Sequence, residues 1–213
     1  TSQISDDFIK KAEENIMLTN QLLSPQQVAE IYQTYMQQDF PPAEIKPLSV
    51  LNDLMQRGWY HPYGWFDSQG QLIAYSFFVS APESPILLLD YFAVCSTQRS
   101  KGYGGQCLAQ MKQLCQTATG ILAEVEDPAK SSSAEEAQIR TRRVAFYQRN
   151  GLRETTIRSV LFGVPYTIHY YPLSTDYTDE QLEQALKDIY HTLFPQSILD
   201  AHAKIWRLES GAQ

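Results

Sequence analysis

The stretch from Pro85 to Cys115, PILLLDYFAVCSTQRSKGYGGQCLAQMKQLC, limits the possible folds more than any other part of the chain. Ile86 to Val94 holds one charged residue, Asp90, and so reads as a strand covered on both faces, in the middle of a sheet flanked by helices. Along it Leu88, Asp90, Phe92 and Val94 are expected to share a face. After the glycines, Cys107, Leu108, Met111, Leu114 and Cys115 recur with helical spacing as one apolar face. A buried strand therefore runs into a glycine turn that opens a helix. This order aims unpaired backbone N–H groups and the positive end of the helix dipole at one place, which makes an anion site.

The rest of the chain is organised around that unit. Its 213 residues fit one domain with extensions, and 43% hydrophobic with 19% charged residues suits a folded chain rather than a disordered one. No apolar run approaches the roughly 18 residues of a membrane span, and the first residues lack the basic and apolar regions of a signal peptide. The expectation is a cytoplasmic protein without a membrane partner. Cys95, Cys107 and Cys115 show no C-x-x-C spacing, and their odd number suits core thiols in a reducing compartment. A formal charge of -7 argues against nucleic acid as a partner and leaves cationic substrates open.

In chain order, Phe8, Ile9, Ala12 and Ile16 suggest a first helix. Ser24-Pro25 caps a second, with Val28, Ile31, Tyr32, Tyr35 and Met36 on its face. A short helix over Val50 to Met55 precedes Gly58. Trp59 to Phe66 and Leu72 to Val79 then form a hairpin about Asp67-Ser68-Gln69-Gly70. The aromatic cluster Trp59, Tyr60, Tyr63, Trp65 and Phe66 reads as core and sheet packing, with a substrate-cleft lining as the alternative, and His61, with no second ligand at a useful spacing, as structural or surface; no metal site is expected. Ile121 to Glu126 is a further strand with Glu124 and Glu126 on one face. Ser133 and Glu136 form a capping box for a helix to Asn150. Leu152 to Val160 and Tyr166 to Pro172 close the sheet about Gly163-Val164-Pro165. Two more apolar faces follow, Leu182, Ala185, Leu186, Ile189 and Leu193, then Ile198, Ala201, Ile205 and Leu208, both read as helical. They must bury on the domain or on a second subunit, as in a homodimer.

Arg99-x-x-Gly102-x-Gly104 alone is a weak signal. A dinucleotide fingerprint would need glycine at 107, where Cys107 stands, and no P-loop Gly-Lys-Ser/Thr is present. A second motif, Phe146-Tyr147-Gln148-Arg149-Asn150-Gly151-Leu152, adds to it. Ala93-Val94, then Arg99-Ser100-Lys101-Gly102-Tyr103-Gly104, then Phe146-Tyr147 through Gly151-Leu152 together resemble the GNAT superfamily of acetyl-CoA-dependent N-acetyltransferases, over roughly Ser24 to Leu173. The resemblance implies an α/β fold of α+β type with a mixed central sheet flanked by helices. Extra helices would stand at both termini: a helical extension over 1–23, the transferase domain over 24–173 and a second helical extension over 174–213.

The resemblance also implies roles. Acetyl-CoA would be a co-substrate, its pyrophosphate held by the turn Arg99, Ser100, Lys101, Gly102, Tyr103, Gly104 and Gly105, with glycines 102 and 104 letting the backbone approach. Arg99 either contacts the anion, is surface charge or packs along the turn. The pantetheine arm would pair with Phe92, Ala93 and Val94, and the Val94 N–H would polarise the thioester carbonyl. A primary amine of a small molecule or peptide would attack directly, through a tetrahedral intermediate, with Tyr147 protonating the leaving sulfur. Asp90 and Glu124 are the candidate bases, though an ion pair would explain Asp90 equally well. Where many members carry an asparagine before the tyrosine, this chain has Arg140, Arg142 and Arg143, read as a solvated helix face or as contacts to the ribose phosphate or to an acidic substrate group. The competing reading is a catalytically inactive acyl-CoA-binding sensor or interaction module.

Overall fold

The computed structural model describes residues 17–114 and 117–209. Among them, eight strands form a single sheet: β1 (Thr19–Leu22), β2 (Tyr60–Phe66), β3 (Leu72–Val79), β4 (Ile86–Val94), β5 (Gly120–Glu126), β6 (Arg153–Leu161), β7 (Val164–Pro172) and β8 (Ala203–Arg207). The order is β1-β2-β3-β4-β5-β7-β6-β8, and β4 with β5 is its one parallel pair. Helices α1 (Pro25–Ile31), α2 (Leu48–Gln56) and α5 (Asp179–Leu193) cover one face, and α3 (Tyr103–Leu114) and α4 (Ala134–Arg149) the other; α6 is the short Gln196–His202. The sequence thus builds a mixed α/β sheet with a core on each side.

On the first face, Val28, Leu51, Leu54, Leu182, Leu186 and Ile189 pack on Leu88, Leu122 and Ile168. On the second, Cys107, Leu108, Met111 and Leu152 pack on Phe78, Leu89, Ile121 and Val125. Cys95 and Cys107 are buried thiols, pushed up to about 11 and about 12 by loss of solvent. Trp65 is fully buried, and Tyr60 nearly so, as expected for sheet packing. His61 bonds Ser80 Oγ at 2.9 Å.

Several sequence expectations are corrected. The first helix, Phe8 to Ile16, and Cys115 lie outside the described residues, but 19–22 is a strand paired with β2, not helix. The second helix runs on past Ile31 to Asp39, as its spacing predicts, but does so through a π-helical turn, Tyr32–Met36, before a last α-turn, Gln37–Asp39. Ser133 caps α4 by accepting from the Glu136 N–H, yet the Glu136 carboxylate turns back to Ser132, so the reciprocal half of the box is missing. The closing hairpin turns at Phe162-Gly163, both at positive φ (49° and 82°), starting one residue before the expected Gly163-Val164-Pro165 and one residue shorter. Ile205 and Leu208 are not helical: α6 stops at His202 and β8 follows, because the open edge of β6 offers its backbone a ladder.

A further correction concerns the organising strand. Phe77 stands opposite Tyr91 and Phe78 opposite Leu89, so Asp90 is the extra residue of a β-bulge. The bulge breaks the period of two. Ile86, Leu88 and Tyr91 face the first core, whereas Leu87, Leu89, Phe92 and Val94 face the second. Leu88 therefore does not share a face with Phe92 and Val94.

Candidate active site

β4 and β5 pair from Ile86 with Gly120 to Leu89 with Ala123, and no further. Beyond that point β5 stays with β7 out to Glu126, while β4 stays with β3 out to Val94. The strands part like a V. The backbone of β4 is open on the side of the gap: the Cys95 N–H bonds Ile73 O at 2.9 Å toward β3, so by alternation the peptide groups of Val94 and Phe92 point the other way. Val94 O accordingly accepts from Arg99 Nε at 3.0 Å. The gap is the floor of a cleft of about 810 Å³ that continues from the glycine turn to the β6–β7 hairpin.

At one end stands the turn. Ser100 (φ 65°) and Gly102 (φ 83°) adopt left-handed backbone, and α3 starts at Tyr103. Of the expected anion-site residues, Arg99, Ser100, Gly102, Tyr103, Gly104 and Gly105 line the cleft together with Phe92, Ala93 and Val94. Lys101 does not; its ammonium bonds Gln98 at 2.9 Å. Arg99 packs along the turn, its guanidinium paired with Asp39, which in turn accepts from the Tyr75 hydroxyl at 2.8 Å. The glycines serve different ends. A Cβ at 102 would meet nothing within 4 Å, so the positive φ is what requires Gly102. At 104 and 105 a Cβ would press on Phe146 Cζ at 3.0 Å and Asn150 Oδ1 at 2.9 Å, so these glycines let α3 lie against α4.

Tyr147 comes from α4 and is buried, its ring 5.4 Å from Phe146 and 6.4 Å from His169 between centroids. It lines the cleft, and its hydroxyl makes no hydrogen bond among the described residues. Burial raises its phenol to about 12, against the opposing pull of the Arg143 cation.

The two acids differ. Asp90 is held by Lys46, 2.7 and 2.9 Å from its two oxygens, and by the Tyr60 hydroxyl at 2.5 Å. Glu124 has no ion pair among the described residues. It accepts from the hydroxyls of Tyr190, on α5, and Ser159, on β6, the latter at 3.1 Å. Burial raises its carboxyl above the ordinary range, and the Tyr190 hydrogen bond pulls it back. Both line the cleft.

The arginines are corrected as well. Arg140 is buried and bonds Glu126 at 2.8 Å and Glu136 at 2.7 Å, so it braces the end of β5 rather than forming a solvated face. Arg143 bonds Glu126 at 2.8 Å and lines the cleft, while Arg142 is exposed. No cluster of three or more metal-ligating side chains stands among the described residues.

No family model matches the sequence, and no curated protein matches it. Solved structures do. A chimera of the Vibrio cholerae spermidine N-acetyltransferase SpeG and hSSAT superposes with a TM-score of 0.55 at 12% identity, over 73% of this chain and 95% of that one. The ribosomal-protein-S18-alanine N-acetyltransferase of Escherichia coli gives 0.54 at 17%, over 76% and 98%. A protein described as a GNAT-family acetyltransferase, from Desulfovibrio desulfuricans, gives 0.53 at 17%, over 74% and 100%. The chain has the GNAT fold.

Within this GNAT fold, the sequence reading missed the residues that shape the end of the cleft away from the glycine turn. Lys46 and Glu44 come from the segment before α2, Tyr166 from β7, Phe162 from the hairpin and Phe194 from the end of α5, and all line the cleft. Phe162 and Phe194 meet edge to face at 5.4 Å. Burial, with Glu126 close by, raises the Glu44 carboxyl to about 7. One signal was available: Tyr190 sits on the apolar face of α5, where a buried hydroxyl needs a partner.

Proposed function

We propose that the protein is an N-acetyltransferase that moves the acetyl group of acetyl-CoA to a primary amine. The observation that carries this reading is the gap between β4 and β5 beyond Leu89 and Ala123, with an N–H-rich turn at one end and the Tyr147 hydroxyl beside it. The residues fit an acyl-CoA: an open strand edge suits an amide-bearing arm, and the start of a twelve-residue helix after left-handed Ser100 and Gly102 suits a pyrophosphate. The GNAT neighbours support the acceptor class, since those described as acting on spermidine and on a protein alanine act on amines.

Bound acetyl-CoA supplies an activated acyl carbon; the chain supplies the rest. Val94 N–H donates to the carbonyl oxygen as negative charge builds there. Glu124 takes the proton that the amine must lose, and a carboxyl raised by burial is a stronger base than a solvated one. Asp90, neutralised by Lys46, keeps β4 bent and is not the base in this reading. Tyr147, kept neutral by burial, gives its proton to the sulfur as the C–S bond breaks, after the C–N bond has formed.

The test is thiol release from acetyl-CoA over a panel of polyamines, aminoglycosides, amino acids and peptide N-termini. Amine-dependent release is the expected result. Binding of CoA with no release from any amine would replace this reading by that of an acyl-CoA sensor.

A further inference from the structure

We propose that Tyr190, on α5, is a positioning residue for the acceptor half of the site: with Ser159 it holds Oε1 of Glu124 and leaves Oε2 to receive the amine proton. The proposal rests on the reading of Glu124 as the base.

The geometry carries it. Tyr190 Oη and Ser159 Oγ both donate to Oε1 and lie 3.2 Å from each other, while Oε2 has no hydrogen bond among the described residues. A carboxylate with one oxygen tied by two hydroxyls cannot rotate its second oxygen out of place. Tyr190 is 1% exposed, on a helix face otherwise made of Leu182, Leu186, Ile189 and Leu193, so its hydroxyl is the polar point at which α5 touches the site. α5 lies in the segment that follows the sheet's closing hairpin, outside the two motifs. Its burial thus does more than seal a core.

The groups facing Glu124 define what the hydroxyls do. Asp90 on β4 and Glu44 before α2 oppose its ionisation, and the Lys46 cation, which favours it, is bonded to Asp90. Tyr166 on β7 stands by as a neutral phenol held up by burial. Without an ion pair, the charged form of Glu124 depends on Tyr190 and Ser159 as its direct donors. Removing a donor should then raise its proton affinity and move the acid limb of activity to higher pH.

The experiment follows the carboxyl of Glu124 by NMR of the full chain labelled with carbon-13 in its glutamate side chains, in parallel with kcat/KM against pH for the best amine of the panel. Tyr190→Phe is expected to raise the titration midpoint of Glu124 by about one pH unit or more, and the acid limb of kcat/KM with it, at unchanged CoA affinity. Ser159→Ala, which disturbs no helix, should move both in the same direction. An unmoved midpoint in both variants, or a rate that falls equally at every pH, would overturn the proposal. Glu124→Gln separates the two levels. If it retains the acid limb, the base assignment itself is wrong; if it abolishes the limb while Tyr190→Phe leaves it in place, only the role of Tyr190 fails.

Discussion

The ammonium of Lys46 lies 2.7 Å from Oδ1 and 2.9 Å from Oδ2 of Asp90, and both side chains are largely removed from solvent. Removing one partner strands the other charge. Lys46→Met should cost about 3–5 kcal/mol of stability, whereas a purely local surface pair would cost under about 1 kcal/mol. Urea denaturation of the variant checks this, and an unchanged midpoint would show that Asp90 needs no counter-charge.

Tyr147 lines the cleft, and its hydroxyl makes no hydrogen bond among the described residues. Tyr147→Phe should leave CoA affinity intact and lower kcat about 100-fold, the ordinary worth of one positioned proton donor. Equilibrium binding and steady-state kinetics on the same preparation check both halves; undiminished turnover would remove Tyr147 from the chemistry.

At Gly104 a Cβ would stand 3.0 Å from Phe146, whose ring stacks on Phe92 at 6.4 Å. Gly104→Val should push α3 from α4, cost about 1–3 kcal/mol as overpacking, and weaken CoA binding at least about tenfold by spoiling the turn. Calorimetric titration with CoA beside thermal denaturation reads both effects. Intact affinity would mean that the turn does not grip the pyrophosphate.

His169 is fully buried, with Nε2 3.1 Å from Thr167 Oγ1 and Nδ1 unpartnered, and burial lowers its imidazole to about 4. Above pH 6.5 it is neutral folded or unfolded and contributes no pH dependence. As pH falls from 6.5 to 4 the unfolded chain binds the proton first, so about 3 kcal/mol of stability should drain away across that window. His169→Gln should flatten this part of a stability–pH curve measured by denaturation.

What the sequence made legible was local. The glycine turn and the helix that carries Tyr147 are contiguous patterns, and strand and helix periods revealed most of the sheet. Asp90 and Glu124 were recognisable as buried acids, but their roles depend on Lys46, 44 residues away, and Tyr190, 66 residues away. No spacing rule reaches that far. Ile205 failed for a different reason: its apolar spacing fits a helix, and only the free edge of β6 decides for a strand. Arg140 was hidden because its partner, Glu126, lies on the strand beneath α4.

The extra residue at Asp90 means that β4 keeps count. Before it, odd positions lie under α3 and α4; after it, even ones do, and the open N–H groups follow the same parity. Substituting an apolar residue along this strand changes packing at one point. Losing or gaining one residue would instead exchange the two faces of everything downstream, turning Phe92 and Val94 away from α3 and presenting the wrong peptide groups to the gap. Length, more than identity, is the feature of this strand that mutation must not touch.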